Sequence, residues 1–119
     1  MVISASDPVT STLRAALDGL ALQERVAAND IANVDTPGFT ASTVDFEDSL
    51  RAALADGVVD PQDSAPVVTA SPEAPGLNGN NVDLAAETMT QMQATFRYQL
   101  LSRAVGDRYA LIRDAIGGA

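Results

Sequence analysis

The sequence has no cysteine, no histidine, no lysine and no tryptophan. Without cysteine, the chain has neither a disulfide framework nor a thiolate nucleophile. Without histidine, it lacks the side chain that most often serves as a catalytic base or a transition-metal ligand. The remaining acids Asp45, Glu47 and Asp48 lie together without a neighbouring cation, which is more typical of a solvated or helix-capping stretch than of a hydrolase pair. We therefore expect no catalytic residue and no enzymatic activity.

Ligand-binding motifs are also scarce. Asn78, Asn80, Asn81 and Asp83 place oxygen atoms at short spacing, as a calcium site would. The segment lacks the glycine position and the terminal glutamate of an EF-hand loop, so we interpret it as a turn followed by a helix cap. There is no glycine-rich loop of the kind that holds phosphate groups. The sequence predicts no metal, no cofactor and no small-molecule substrate.

Positive charge is limited and unevenly placed. Seven arginines oppose 16 acidic residues, which gives a net charge of −9. Residues 35–83 carry nine acids and a single cation, Arg51. This acidic middle argues against a nucleic-acid partner, because phosphate binding requires clustered cations. The four arginines in residues 84–119 either form a solvated helix face or meet acids of neighbouring subunits.

Long apolar runs and aromatic residues are few. No stretch approaches the roughly 18 apolar residues of a membrane span, and the first residues show no secretory signal peptide. Alanine supplies 21 residues, against five aromatic ones. Because alanine favours helix but buries little area, a lone monomer has a modest driving force to fold. We expect such a chain to gain stability from neighbouring molecules.

Residues 9–34 are predicted to form a helix that starts after Asp7-Pro8 and ends before Thr36-Pro37-Gly38. Pro37 and Gly38 fit the two central positions of a type II turn. Gly19 lowers the helix propensity by roughly 1 kcal/mol relative to alanine. The apolar residues recur at alternating steps of three and four, as in a coiled-coil seam; they are Leu13, Leu17, Leu20, Ala27, Ile31 and Val34.

Residues 83–117 give the clearest helix pattern, with Asp83 as N-cap. A first apolar stripe on this helix comprises Ala94, Tyr98, Leu101, Val105, Tyr109, Ile112 and Ile116. A second stripe comprises Met89, Met92, Phe96, Leu100, Ala104, Leu111 and Ala115. One stripe suffices to pack against the first helix, so the second is predicted to contact another molecule.

The segment between these helices contains several prolines, and only residues 46–54 show a short helical pattern. We therefore predict an all-α fold in which two long terminal helices form an antiparallel coiled-coil pair, joined by a long irregular proline-rich segment. We divide the chain into three parts. Residues 1–34 form the N-terminal helix, residues 35–82 contain the turn, the short helix and the irregular loop, and residues 83–119 form the C-terminal helix.

Four blocks of sequence resemble the flagellar basal-body rod family. Residues 28–39 (ANDIANVDTPGF) are similar to the family's N-terminal signature, carried here by Asn29, Ile31, Asn33, Thr36, Pro37, Gly38 and Phe39. The later blocks are FTA with VDFE in residues 39–47, GNNVDL in residues 79–84 and FRYQ in residues 96–99, and they resemble the proximal rod members in particular. Asn29 and Asn33 lie one helical turn apart, where their amides can bond the last helix carbonyls or the following loop.

The resemblance implies a structural subunit that assembles into a helical tube and transmits torque in motility. It implies as partners other copies of the chain, other rod proteins, the membrane ring and the type III export apparatus. It places the protein in the periplasmic rod of the basal body, exported without a cleaved signal peptide. The predicted assembly interface comprises Leu13, Leu17, Leu20, Ile31, Phe96, Tyr98, Leu101, Val105, Tyr109, Ile112 and Ile116.

The residues alone leave one alternative open, which is a secreted helical adaptor or chaperone-like protein that binds a partner helix in an apolar groove.

Overall fold

The computed structural model describes residues 8–55, 57 and 64–117. Its elements are, in order, helix α1 (Pro8–Ala32), strand β1 (Ser42–Asp45), helix α2 (Glu47–Ala55), strand β2 (Val67–Ala70) and helix α3 (Leu84–Gly117). The two long terminal helices and the short helix therefore form close to the predicted positions. Asp7, expected just before the first helix, lies outside the described residues.

Helices α1 and α3 run antiparallel, as contacts near both ends show. Near the start of α1, Arg14 donates a hydrogen bond to the Tyr109 hydroxyl at 2.7 Å, and Arg108 donates to the Thr10 hydroxyl at 3.2 Å. Near the end of α1, Asp30 is hydrogen-bonded to Glu87 at the start of α3. The helix pair accounts for the elongated shape of the molecule, whose principal extents are 66 × 26 × 14 Å.

The all-α prediction needs a correction, because the middle segment contains a two-stranded antiparallel sheet. Strand β1 pairs with β2, from Ser42 opposite Ala70 to Asp45 opposite Val67. The paired residues are mostly β-branched, and such side chains favour extended backbone. Each strand has only four residues, which is too short for a period of two to be recognised, and the pairing is not local in sequence.

The core is small and centres on Phe46, which follows β1. Phe46 is 4% exposed and packs with Leu20 of α1 and Ala94 of α3, with Val44 and Leu101 against the cluster. A Cβ atom at Gly19 would overlap the Phe46 ring. The glycine that weakens the helix propensity of α1 is therefore what lets the ring lie against the helix backbone.

We predict that Gly19→Ala destabilises the protein. Overpacking typically costs about 1–3 kcal/mol, which exceeds the helix-propensity gain of about 1 kcal/mol from the added methyl group. Gly106→Ala is the matched control, because Gly106 is also inside a helix but has nothing within 4 Å of the added atom. That variant should be stabilised by about 0.5–1 kcal/mol. Urea unfolding followed by circular dichroism compares the two, and equal stability of both variants would contradict the packing.

Candidate functional site

The end of α1 is fixed by Asn33. Its side-chain amide donates a hydrogen bond to the Asn29 carbonyl at 2.8 Å, and its side-chain oxygen accepts one from the Thr36 hydroxyl at 3.1 Å. The amide thus bonds one of the last helix carbonyls, as the sequence suggested. Asn29 contributes its backbone carbonyl, whereas its own side chain is exposed.

The predicted turn follows directly. The Phe39 N–H donates to the Thr36 carbonyl at 3.2 Å, which closes a four-residue turn with Pro37 and Gly38 at its centre. Gly38 has a φ of 74°, as the third residue of a type II turn requires. The turn reverses the chain at the end of α1 and directs it into β1.

Asn80 binds this turn from a distant part of the sequence. Its side-chain amide donates to the Asn33 carbonyl at 2.9 Å and to the Thr36 carbonyl at 2.8 Å. Its side-chain oxygen accepts the Val82 N–H at 2.8 Å. The residue is 8% exposed. The Asn33 and Thr36 carbonyls already accept the Thr36 and Phe39 N–H groups of the turn, so the Asn80 amide gives each of them a second donor, as a carbonyl with two lone pairs allows.

Neighbouring residues extend the same contact. Asn81 accepts the Ala41 N–H on its side-chain oxygen at 2.7 Å and donates to the Glu73 carbonyl at 3.0 Å. Gly38 donates its N–H to the Asn78 carbonyl at 2.9 Å. Residues 33–41 and 78–82 therefore form one hydrogen-bonded unit, which we call the junction.

The helix cap predicted within residues 78–83 is confirmed. The Asp83 carboxylate accepts the Ala86 N–H at 3.1 Å at the start of α3. The contacts of Asn80 and Asn81 with the α1 end were missed. The available signal was the pair of consecutive asparagines, because an amide side chain both donates and accepts and can bridge two backbone segments.

A pair of acidic side chains lies beside the junction. Asp30 is 1% exposed and accepts the Ser42 N–H at 3.1 Å. Burial raises the pKa of the Asp30 carboxyl, while hydrogen bonds from Ser42 and Glu87 offset part of that rise. Burial, the adjacent Asp30 carboxyl and the charge of Asp83 raise the pKa of Glu87 to about 7.

The residues predicted for assembly range from buried to exposed in the single chain. Leu20 is buried in the core of the chain, and Tyr98 and Tyr109 are each 37% exposed. The half-buried members are Leu13, Leu17, Ile31, Leu101, Val105 and Ile112. Phe96 and Ile116 are exposed at 62% and 76%. Their role in assembly stays a prediction.

Every member of the second stripe is exposed in the single chain. At Leu100 the stripe reaches an apolar groove of about 460 Å³ between the three helices. The apolar lining of the groove includes Leu20, Phe46, Leu50, Leu54, Leu100 and Leu101. Arg97 of α3 and Glu47 of α2 form an exposed ion pair at its edge, with 3.2 Å between nitrogen and oxygen. The stripe and the groove form one apolar surface.

Two kinds of feature are not found in the part of the chain that the structure describes. No three acidic side chains come close enough together there to hold a metal ion. None of the helices described is both long and apolar enough to cross a bilayer.

Comparison with known proteins gives a consistent result. The chain is 25% identical over 122 residues to the flagellar basal body rod protein FlgB of Salmonella typhimurium, covering 87% of this chain and 88% of the relative. FlgB of Cereibacter sphaeroides is 28% identical over 107 residues, with coverage of 81% and 84%. FlgB of Bacillus subtilis is 26% identical over 117 residues, with coverage of 89% and 91%.

The chain is FlgB-like. No family model matches it. The similarity to FlgB covers most of both sequences, so it includes parts of both terminal helices and is not confined to the signature in residues 28–39. The resemblance to rod proteins predicted from short blocks of sequence is thereby confirmed.

We predict that Asn80→Ala destabilises the protein by about 2 kcal/mol, because the Val82 N–H loses its acceptor and the Asn33 and Thr36 carbonyls each lose one of two donors. Asn29→Ala removes an exposed amide in α1 and should change the free energy of unfolding by about 0.5 kcal/mol or less. Chemical unfolding of both variants measures the difference. If Asn80→Ala were as stable as Asn29→Ala, the junction would not be holding the end of α1.

Proposed function

We propose that this protein is a structural subunit of the proximal rod of the bacterial flagellar basal body. The observation that carries the proposal is the similarity to FlgB proteins across most of the chain. These relatives are named flagellar basal body rod proteins. The role requires a shape and contact surfaces but no reacting group, in agreement with a sequence that lacks histidine and cysteine.

The exposed apolar surface supports an assembly role. Met92 and Phe96 are 64% and 62% exposed, and Leu111 is 70% exposed. Apolar side chains at successive turns of one helix form a contiguous patch, and patches of this kind on a protein in water usually mark an interface. We propose that other copies of the chain and other rod proteins cover the second stripe and the adjoining groove.

In the assembled state, we propose that α1 and α3 pack as an antiparallel coiled coil. Subunits would then stack through different surfaces on each neighbour, because a head-to-tail contact that does not close into a ring generates a helical filament. A tube built in this way resists twisting through many parallel contacts and can transmit torque. The predicted assembly residues are proposed to serve either the helix pair itself or these contacts between subunits.

We also propose a location and partners for the protein. The protein would lie in the periplasmic rod, where it would meet the membrane ring of the basal body. It would reach that position through the flagellar type III export apparatus, without cleavage of a signal peptide. The alternative of a secreted adaptor or chaperone-like protein is not favoured, because the similar proteins are rod components.

Genetic complementation with a variant of the second stripe tests the proposal. In a host strain that lacks this gene, the wild-type gene should restore swimming, and Phe96→Asp should not, because a charge placed in a packed apolar interface costs several kcal/mol. Gln93→Asp is the matched control, since Gln93 is also exposed on α3 and lies outside both stripes. Electron microscopy of basal bodies should show rods with the wild type and the control only.

Circular dichroism of the purified Phe96→Asp protein is the folding control. If its helix content is normal, a failure to swim is caused by lost assembly and not by misfolding. Normal swimming of Phe96→Asp would exclude the second stripe as an interface. Swimming and complete rods in the strain that lacks the gene would contradict the rod function itself.

A further inference from the structure

We propose that Asp30 and Glu87 share one proton and form a pH-sensitive latch that fastens the end of α1 to the start of α3. The inference is independent of the proposed rod function, because it concerns the folding of the single chain.

The hydrogen bonds of the pair define its protonation. Two ionised carboxylates can only accept hydrogen bonds, so a bond between Asp30 and Glu87 requires a proton on one of them. The Ser42 N–H lies 3.1 and 3.4 Å from the two carboxylate oxygens of Asp30. This donor stabilises the ionised form of Asp30. The shared proton therefore belongs on Glu87, which donates it to Asp30.

Among the residues that the structure describes, no positive charge contributes to the pKa shifts of the pair. The charged groups that act on Glu87 are Asp30 across the helix pair and Asp83 one turn earlier on α3. On α1, the next ionisable residues, Glu24 and Arg25, lie more than one helical turn from Asp30. Strand β1 contributes Asp45, whose side chain is exposed. A small cavity beside Glu87 is otherwise lined by neutral residues: Gln23, Val26, Ala27, Ser42, Thr43, Val44 and Thr90.

The sign of the pH effect follows from the folded and unfolded states. In the unfolded chain, Glu87 releases its proton near its ordinary pKa of 4.5, whereas in the folded chain the pKa is raised to about 7. Between these values the folded state binds the additional proton, so the stability of the fold decreases as pH rises through this window. Above about pH 7, two negative charges oppose each other between α1 and α3. The raised pKa of Asp30 acts in the same direction.

The composition of the chain makes this effect measurable. With no histidine and no cysteine in the sequence, no side chain has an ordinary pKa between about 5 and 8. A change in stability inside this window therefore reports groups whose pKa the fold has shifted, and a variant of the pair identifies them.

The test is urea unfolding of the purified full chain at several pH values from about 5 to 8, at constant ionic strength. For the wild type we expect the unfolding equilibrium constant to rise about tenfold or more across this range, since each unit of pKa shift corresponds to tenfold and solvent screens part of the shift. Asp30→Asn keeps the size of the side chain but removes its charge, and should make the rise at least about threefold smaller than in the wild type, while the part caused by the burial of Glu87 remains. Asp45→Asn, which removes an exposed acid of β1, should keep the wild-type rise.

The pKa of Glu87 can be measured directly by following its carboxyl carbon in the wild-type chain by nuclear magnetic resonance as the pH changes. An apparent pKa near 7 supports the latch, and an ordinary value near 4.5 overturns it. Equal pH dependence in the wild type and Asp30→Asn would also overturn it. Glu87→Gln supplies a second variant if Asp30→Asn does not fold, and it too should remove most of the pH dependence. Failure of the latch would leave the similarity to FlgB and the swimming test unaffected.

Discussion

The side chain of Asn80 joins two parts of the chain that are more than 40 residues apart, and the arrangement of the long helices depends on this contact. Its amide bonds the Asn33 and Thr36 carbonyls at the end of α1, and the segment that contains it leads within a few residues into α3. The start of α3 is therefore held beside the end of α1. Because α3 runs antiparallel to α1 from that point, Glu87 lies beside Asp30, and Ala94 packs in the same cluster as Leu20.

The core along the helix pair contains few large side chains. A single aromatic ring, Phe46, fills the space that Gly19 leaves open, and alanine occupies several of the buried positions. Such a core hides little apolar surface per residue. The large apolar side chains of α3 mostly point away from it, as the exposure of Met92, Phe96 and Leu111 shows. A protein with this distribution gains stability when neighbours cover its outer face, which agrees with the proposed role in a rod.

The features predicted correctly from the sequence were those set by local interactions. The Pro37-Gly38 turn and the Asp83 cap follow from the conformations and hydrogen bonds of single residues. The extents of the terminal helices follow from apolar periodicity. The sheet of β1 and β2 was not predicted, because each strand is short and its partner is distant in sequence. The junction was missed for the same reason, and Gly19 was interpreted as a weakness because its function depends on a ring that arrives from another element.

The central claim is that this chain is a rod subunit whose exposed α3 surface is covered by neighbouring molecules. A density map of intact basal bodies from the host organism, at a resolution that allows helices to be traced, tests the claim most directly. We expect the proximal rod to contain this chain, with α1 and α3 antiparallel and with Met92, Phe96 and Leu111 in contact with adjacent subunits. A rod in which the chain is absent, or in which this surface faces solvent, would contradict it.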